Sequence, residues 1–231
     1  MAKKEFFCII DTETTINGKV FDFAALVVDR KGEIYKKAAV IVSDFLDEDL
    51  FYMDGANDWS KPRAIQKKEA YLKMLESGER ISASVNAVNR WMQKVIGEFN
   101  PSLTAYNLAF DSDKCADSGI MLNDFKSSFC LWHTAVNVFA GTKNFKAFVL
   151  ENHYFGNRTK NANMVMKTNA EIMAHFITGE DKKEPHTALE DAQFFELPIL
   201  RAIVNKKGWK EKTLKPFDWR DHVMRDNFKP A

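Results

Sequence analysis

An α/β domain, a mixed five-stranded sheet flanked by helices, is what this 231-residue sequence predicts. Three observations lead there. The first 42 residues hold three apolar runs divided by short turn signals, a long stretch at helical spacing follows, and two shorter strand-like segments then alternate with helical ones. Hydrophobic residues at 45% and charged residues at 28% are ordinary globular values and argue against a disordered or fibrous chain.

The elements follow in order. Phe6 to Ile10 is continuously apolar, as are Val20 to Val28, after a Gly-containing break, and Ile34 to Val42, after Lys31-Gly32. Such Val-, Ile- and Phe-rich runs read as three consecutive antiparallel strands. Residues 44–58 are acidic and aromatic without a period and read as a loop or short helices. Pro62 suits the first turn of a helix to about Leu75. Ser82 or Ser84 caps the next helix, along which Val85, Val88, Trp91, Met92, Val95, Ile96 and Phe99 recur, and Asn100-Pro101 ends it. Leu103 to Tyr106 reads as a strand, a helix begins near Asp111, and Ser128 to Trp132 reads as the fifth strand. Residues 133–180 look largely helical with a polar interruption from Gly156 to Lys167. Thr187 to Val204 reads as a long helix that Pro198 should kink or divide. Residues 1–207 form the expected domain, and 208–231 an aromatic tail, with Trp209, Phe217 and Trp219, that packs on it or serves as a docking segment.

Thirty-three basic against thirty-two acidic side chains leave a formal charge of +1, so a nucleic-acid partner would have to be met by charge arranged locally. Three cysteines without a CxxC pair argue against a disulfide framework or a zinc knuckle and fit a reducing compartment. No apolar run approaches the roughly 20 residues of a membrane span, and the expectation is a cytoplasmic protein without a membrane partner.

The first strand runs into Asp11-Thr12-Glu13. Residues two apart in a strand point the same way, so Asp11 and Glu13 present two carboxylates on one face unless they merely begin a solvated turn. Asp111 follows a short apolar segment and is a metal-ligand candidate or a helix N-cap. Asp191 and His186, on and just before the long helix, are candidates whose bland alternatives are a polar helix position and an isolated histidine.

Three segments carry a resemblance. FFCIIDTETT resembles the first motif of the DEDDh 3′-to-5′ exonucleases, LTAYNLAFD the second, and HTALEDA the third, in family order over roughly residues 5–204. That resemblance implies a ribonuclease H-like fold and a two-metal hydrolysis with Mg²⁺, for which Mn²⁺ substitutes. It implies Asp11, Glu13, Asp111 and Asp191 as metal ligands, with Asp11 bridging, and His186 as the general base. Oxygen-only ligands suit such hard cations, and an imidazole with an ordinary pKa of about 6.5 suits proton transfer at neutral pH. Thr12, Thr14 and Ile16, with Asn107 and Phe110, are the implied contacts to the 3′ nucleotide. The chain departs from many members by carrying Ile16-Asn17-Gly18 where a glycine directly follows the two threonines.

The expected activity is release of nucleoside 5′-monophosphates from 3′ ends of single-stranded DNA, with RNA as a further substrate. Alternatives are an RNA-directed enzyme of the RNase T or oligoribonuclease type, a polymerase-associated proofreading or binding subunit, and a non-catalytic nucleic-acid binder. A homodimer or a replication-protein partner is a further expectation.

Overall fold

Strands β1 (Phe6–Thr14), β2 (Val20–Asp29) and β3 (Ile34–Val42) form an antiparallel meander in the computed structural model, which describes residues 4–50, 60–158 and 164–224. A 3₁₀ turn at Ser43–Phe45 follows; of the acidic segment 44–58, residues 51–58 lie outside the described residues. Helix α1 (Ser60–Ser77) leads to β4 (Ile81–Ala83), and α2 (Val85–Phe99) starts on Ser84, whose side chain accepts the Ala87 N–H, as a cap should. Asn100 ends α2 in the left-handed conformation.

Strand β5 (Ser102–Ala105), helix α3 (Leu108–Asp117) and strand β6 (Ser127–Cys130) complete a six-stranded sheet in the order β4-β3-β2-β1-β5-β6. The expected count was five. The additional strand is β4, three residues that pair in parallel with Val40–Val42 at the sheet edge; so short a segment carries no alternating pattern of its own.

The nearly continuous apolar character of β1 and β2 has a direct cause: both faces of the sheet are covered. Phe7, Ile9, Ala24, Leu26 and Val28 face one core, which includes Leu131, Phe145, Met173, Ile199 and Ile203. Cys8, Ile10, Phe23, Ala25 and Val27 face the other, with Val88, Met92, Val95 and Cys115. Alternation is present in direction but hidden in hydrophobicity.

Beyond β6 the chain turns at once into α4 (Leu131–Ala135), so Trp132 lies on a helix and not on the fifth strand. A π turn (Val136–Ala140) and α5 (Lys143–Glu151) follow. Of the polar interruption Gly156–Lys167, residues 159–163 lie outside the described residues, and both flanks hold strand: β7 (Phe155–Arg158) and β8 (Met164–Met166) are antiparallel and belong to a second, three-stranded sheet. Its third member, β9 (Val223–Met224), comes from the aromatic tail. Helix α6 (Ala170–Thr178) precedes the last long helix, whose halves α7 (Ala188–Asp191) and α8 (Leu197–Val204) are joined by a π turn over Ala192–Glu196. Pro198 lacks an N–H, and the widened turn directly before it lets the helix run on.

In the tail, α9 (Trp209–Leu214) buries Trp209 against Phe7 and Phe129, whereas Trp219, on a 3₁₀ turn at Trp219–His222, is exposed. Residues 225–231 of the tail lie outside the described residues. Among the described residues no helix is long and apolar enough to cross a membrane.

Candidate active site

Asp11 and Glu13 remain within β1, which continues to Thr14, and a solvated turn is not what they form. A register shift between Glu13 and Thr14 ends the regular pairing with β2 here. Bulges of this kind re-aim side chains at a strand end. Asp111 lies one turn into α3, whose N-cap position belongs to Asn107, so its carboxylate is not spent on capping; it accepts the Thr12 hydroxyl at 2.9 Å. Asp191 closes α7.

These elements meet at one cavity of about 730 Å³. Its lining includes Asp11, Glu13, Asp111, His186 and Asp191, together with Thr12, Thr14, Asn107 and Phe110. Ile16 is the expected contact that the fold does not bring there. It lies past the β1 bulge in the turn to β2, its N–H bonded to the Asp49 carbonyl at 2.8 Å and its side chain exposed. Phe110 is not a core residue: it is partly exposed, with the Lys114 ammonium over its ring.

Ligand atoms of Glu13, His186 and Asp191 lie within 4.8 Å of one another. His186 is held with a positive φ of 55°, a conformation that costs a non-glycine residue about 1–2 kcal/mol. The Tyr71 hydroxyl donates to its carbonyl. Two residues on, the Ala188 N–H that opens α7 is bonded by the Asp22 carboxylate at 3.0 Å, so a buried acid on β2 caps this helix. Asp22 is paired in turn with buried Arg80 at 3.2 Å, and Arg80 also grips Glu190. The network anchors the segment carrying His186 and Asp191 to the central sheet.

The electrostatics follow from burial. Desolvation pushes the Asp191 carboxyl up to about 9, aided by Glu184 and Glu13, and Asp111 up to about 7. Glu13 also rises to about 7 through desolvation, against the pull of Lys67 at 3.7 Å. Asp11 is raised well above the usual carboxylate range by desolvation and by the surrounding acids. So many acids in one cavity hold protons or take up cations. The donors are carboxylate oxygens with one imidazole, a set that fits Mg²⁺ or Mn²⁺.

Several cavity residues carry no signal in the sequence. Glu196 and Glu184 add carboxylates, Lys67 and Lys167 add cations, and Trp132 and Tyr106 add aromatic walls. The Trp132 indole N–H donates to Thr168 at 2.9 Å, and Thr168 also meets His222 of the tail at 3.2 Å. Lys182 and Lys183 instead pair with Glu180 and Glu171 on the surface. A scan of protein-family models and a search of curated proteins find no match to this chain.

Proposed function

We propose that this protein is a metal-dependent 3′-to-5′ exonuclease of the DEDDh kind, on a ribonuclease H-like fold, that hydrolyses single-stranded DNA, and RNA as a further substrate, to nucleoside 5′-monophosphates. The observation that carries this reading is convergence: Asp11 and Glu13 from β1, Asp111 from α3, and His186 and Asp191 around α7 line one cavity although up to 180 residues separate them in sequence. The mixed sheet flanked by helices supports it, since without the edge strand β4 five strands remain.

Asp11, Glu13, Asp111 and Asp191 would hold two divalent cations, which when bound acidify a water, neutralise the scissile phosphate and stabilise the departing 3′ oxygen. The protein's own groups do the rest. An imidazole nitrogen of His186, close to the Glu13 and Asp191 carboxylates, accepts the proton of the attacking water. The water oxygen bonds to phosphorus as the P–O3′ bond breaks. Thr12 fixes Asp111 through its hydroxyl, and alternation along β1 turns Asp11 and Glu13 to the same side, where both line the cavity. Phe110 and Trp132 offer ring faces on which an unpaired base stacks, a contact worth about 1–3 kcal/mol per base.

The test is a time course on matched 5′-labelled single-stranded DNA and RNA with Mg²⁺, Mn²⁺ or EDTA, beside Asp11→Ala. A metal-dependent ladder shortening from the 3′ end of DNA, absent in the variant, is expected. A ladder on RNA alone makes the enzyme RNA-directed, and no cleavage of either by folded protein overturns the proposal.

A further inference from the structure

Glu196 is wholly buried yet lines the cavity, and it belongs to none of the three sequence motifs. Its two oxygens have different fates. Oε1 accepts the Tyr106 N–H at 2.8 Å, fixing the side chain against the end of β5, whereas Oε2 is buried with no hydrogen-bond partner among the described residues. An unpartnered buried carboxylate oxygen is costly, and a structure retains one where something else satisfies it.

The backbone explains how Glu196 comes to face the cavity. A regular helix would turn it about 140° from Asp191, away from the other acids. The π turn closes between residues five apart, as the Leu197 N–H bonded to the Ala192 carbonyl shows, and this brings Glu196 back over Asp191. Glu13 and Asp191 gather with His186, their ligand atoms within 4.8 Å of one another. Glu196 stands outside that trio and lines the same cavity as Asp11 and Asp111.

Resting on the exonuclease reading, we infer that Glu196 is a fifth metal-holding carboxylate of this cavity, its Oε2 completing the oxygen shell of one of the two cations. A further carboxylate oxygen suits the octahedral oxygen shell of Mg²⁺ or Mn²⁺. Tyr106 supplies the orienting hydrogen bond that such a ligand requires.

The test is calorimetric titration of the full chain with Mn²⁺ alone, comparing wild type, Glu196→Gln, Glu196→Ala, Asp191→Asn and Asp11→Asn. Glutamine keeps an oxygen for the Tyr106 N–H while removing the charge, so it separates ligation from a purely structural role; alanine serves if glutamine misfolds. Two ions are expected to bind wild type. The Glu196 variants lose affinity for at least one of them about tenfold or more, as Asp191→Asn and Asp11→Asn do. Unchanged binding of both ions in folded Glu196 variants overturns the inference and leaves the exonuclease reading standing. No Mn²⁺ binding by wild type, or an isotherm unaltered by Asp11→Asn, overturns both.

Discussion

Asp191 concentrates the tension of the site. One of its carboxylate oxygens is buried without a hydrogen-bond partner among the described residues, and its carboxyl is pushed up to about 9 by desolvation and then by Glu184 and Glu13. Asp191→Asn removes that strain and, on the exonuclease reading, one metal ligand with it. Hydrolysis is expected to fall by about a thousandfold or more, while the metal-free protein melts at a higher temperature than wild type. On the exonuclease reading His186 moves a proton and holds no metal, so His186→Ala should lower turnover by about a hundred- to ten-thousandfold and leave Mn²⁺ affinity nearly unchanged. Parallel activity and calorimetric measurements check both. Spacing in a strand made Asp11 and Glu13 legible in the sequence, since they stay in β1 to its end. Glu196 was illegible because a 3.6-residue period places it off the face that the π turn restores.

At the scale of elements, the Asp22–Arg80–Glu190 network fixes α7 to β2. Arg80→Met would strand two acids, one of them wholly buried, and is expected to cost about 3–5 kcal/mol in urea unfolding. Activity should fall with it, because His186 and Asp191 lean on the same anchor. Helix α9 rests on a different kind of contact: buried Trp209 packs edge-on against Phe7 and tilted against Phe129, and Trp209→Ala should cost about 3–5 kcal/mol in the same assay. The strands of the meander and helix α2 were readable from periodicity because each is long and amphipathic or apolar. Strands β7, β8 and β9 were not, since each has four residues or fewer and β9 finds its partner about 60 residues back in the chain.

For the whole molecule, the raised carboxyls act together on stability. Glu13 and Asp111 sit near 7 and Asp191 near 9 in the fold, while carboxyls in the unfolded chain titrate at about 4. Between those limits the native state binds more protons than the unfolded one, so stability falls as pH rises. His133 and His222, lowered by burial, work oppositely near and below their ordinary value of 6.5. Above it, buried Cys8, pushed up to about 12, adds to the fall. Metal-free protein should therefore melt lower at about pH 8.5 than at about pH 6.5, and Asp191→Asn or saturating Mn²⁺ should narrow the difference. Thermal melts in EDTA check the sign; a melting temperature that rises over this interval would contradict the buried acidic cluster. The mixed α/β architecture was legible because two covered sheet faces leave long apolar strands. The join of the tail to the second sheet was not, because it depends on three short strands brought together only by the completed fold.

That small sheet governs when the cavity can exist during synthesis. Strand β1 finds its parallel neighbour β5 only about 95 residues later. At about 5–20 residues per second, the first two acids wait on the order of 5–20 s on the ribosome before the third arrives. The wall carrying Trp132 and Thr168 is tied down later still, by His222 and by the pairing of Val223 and Met224 with β8. A nascent chain therefore displays its acids long before it owns an assembled cavity, whose wall is complete only once the tail has emerged and docked.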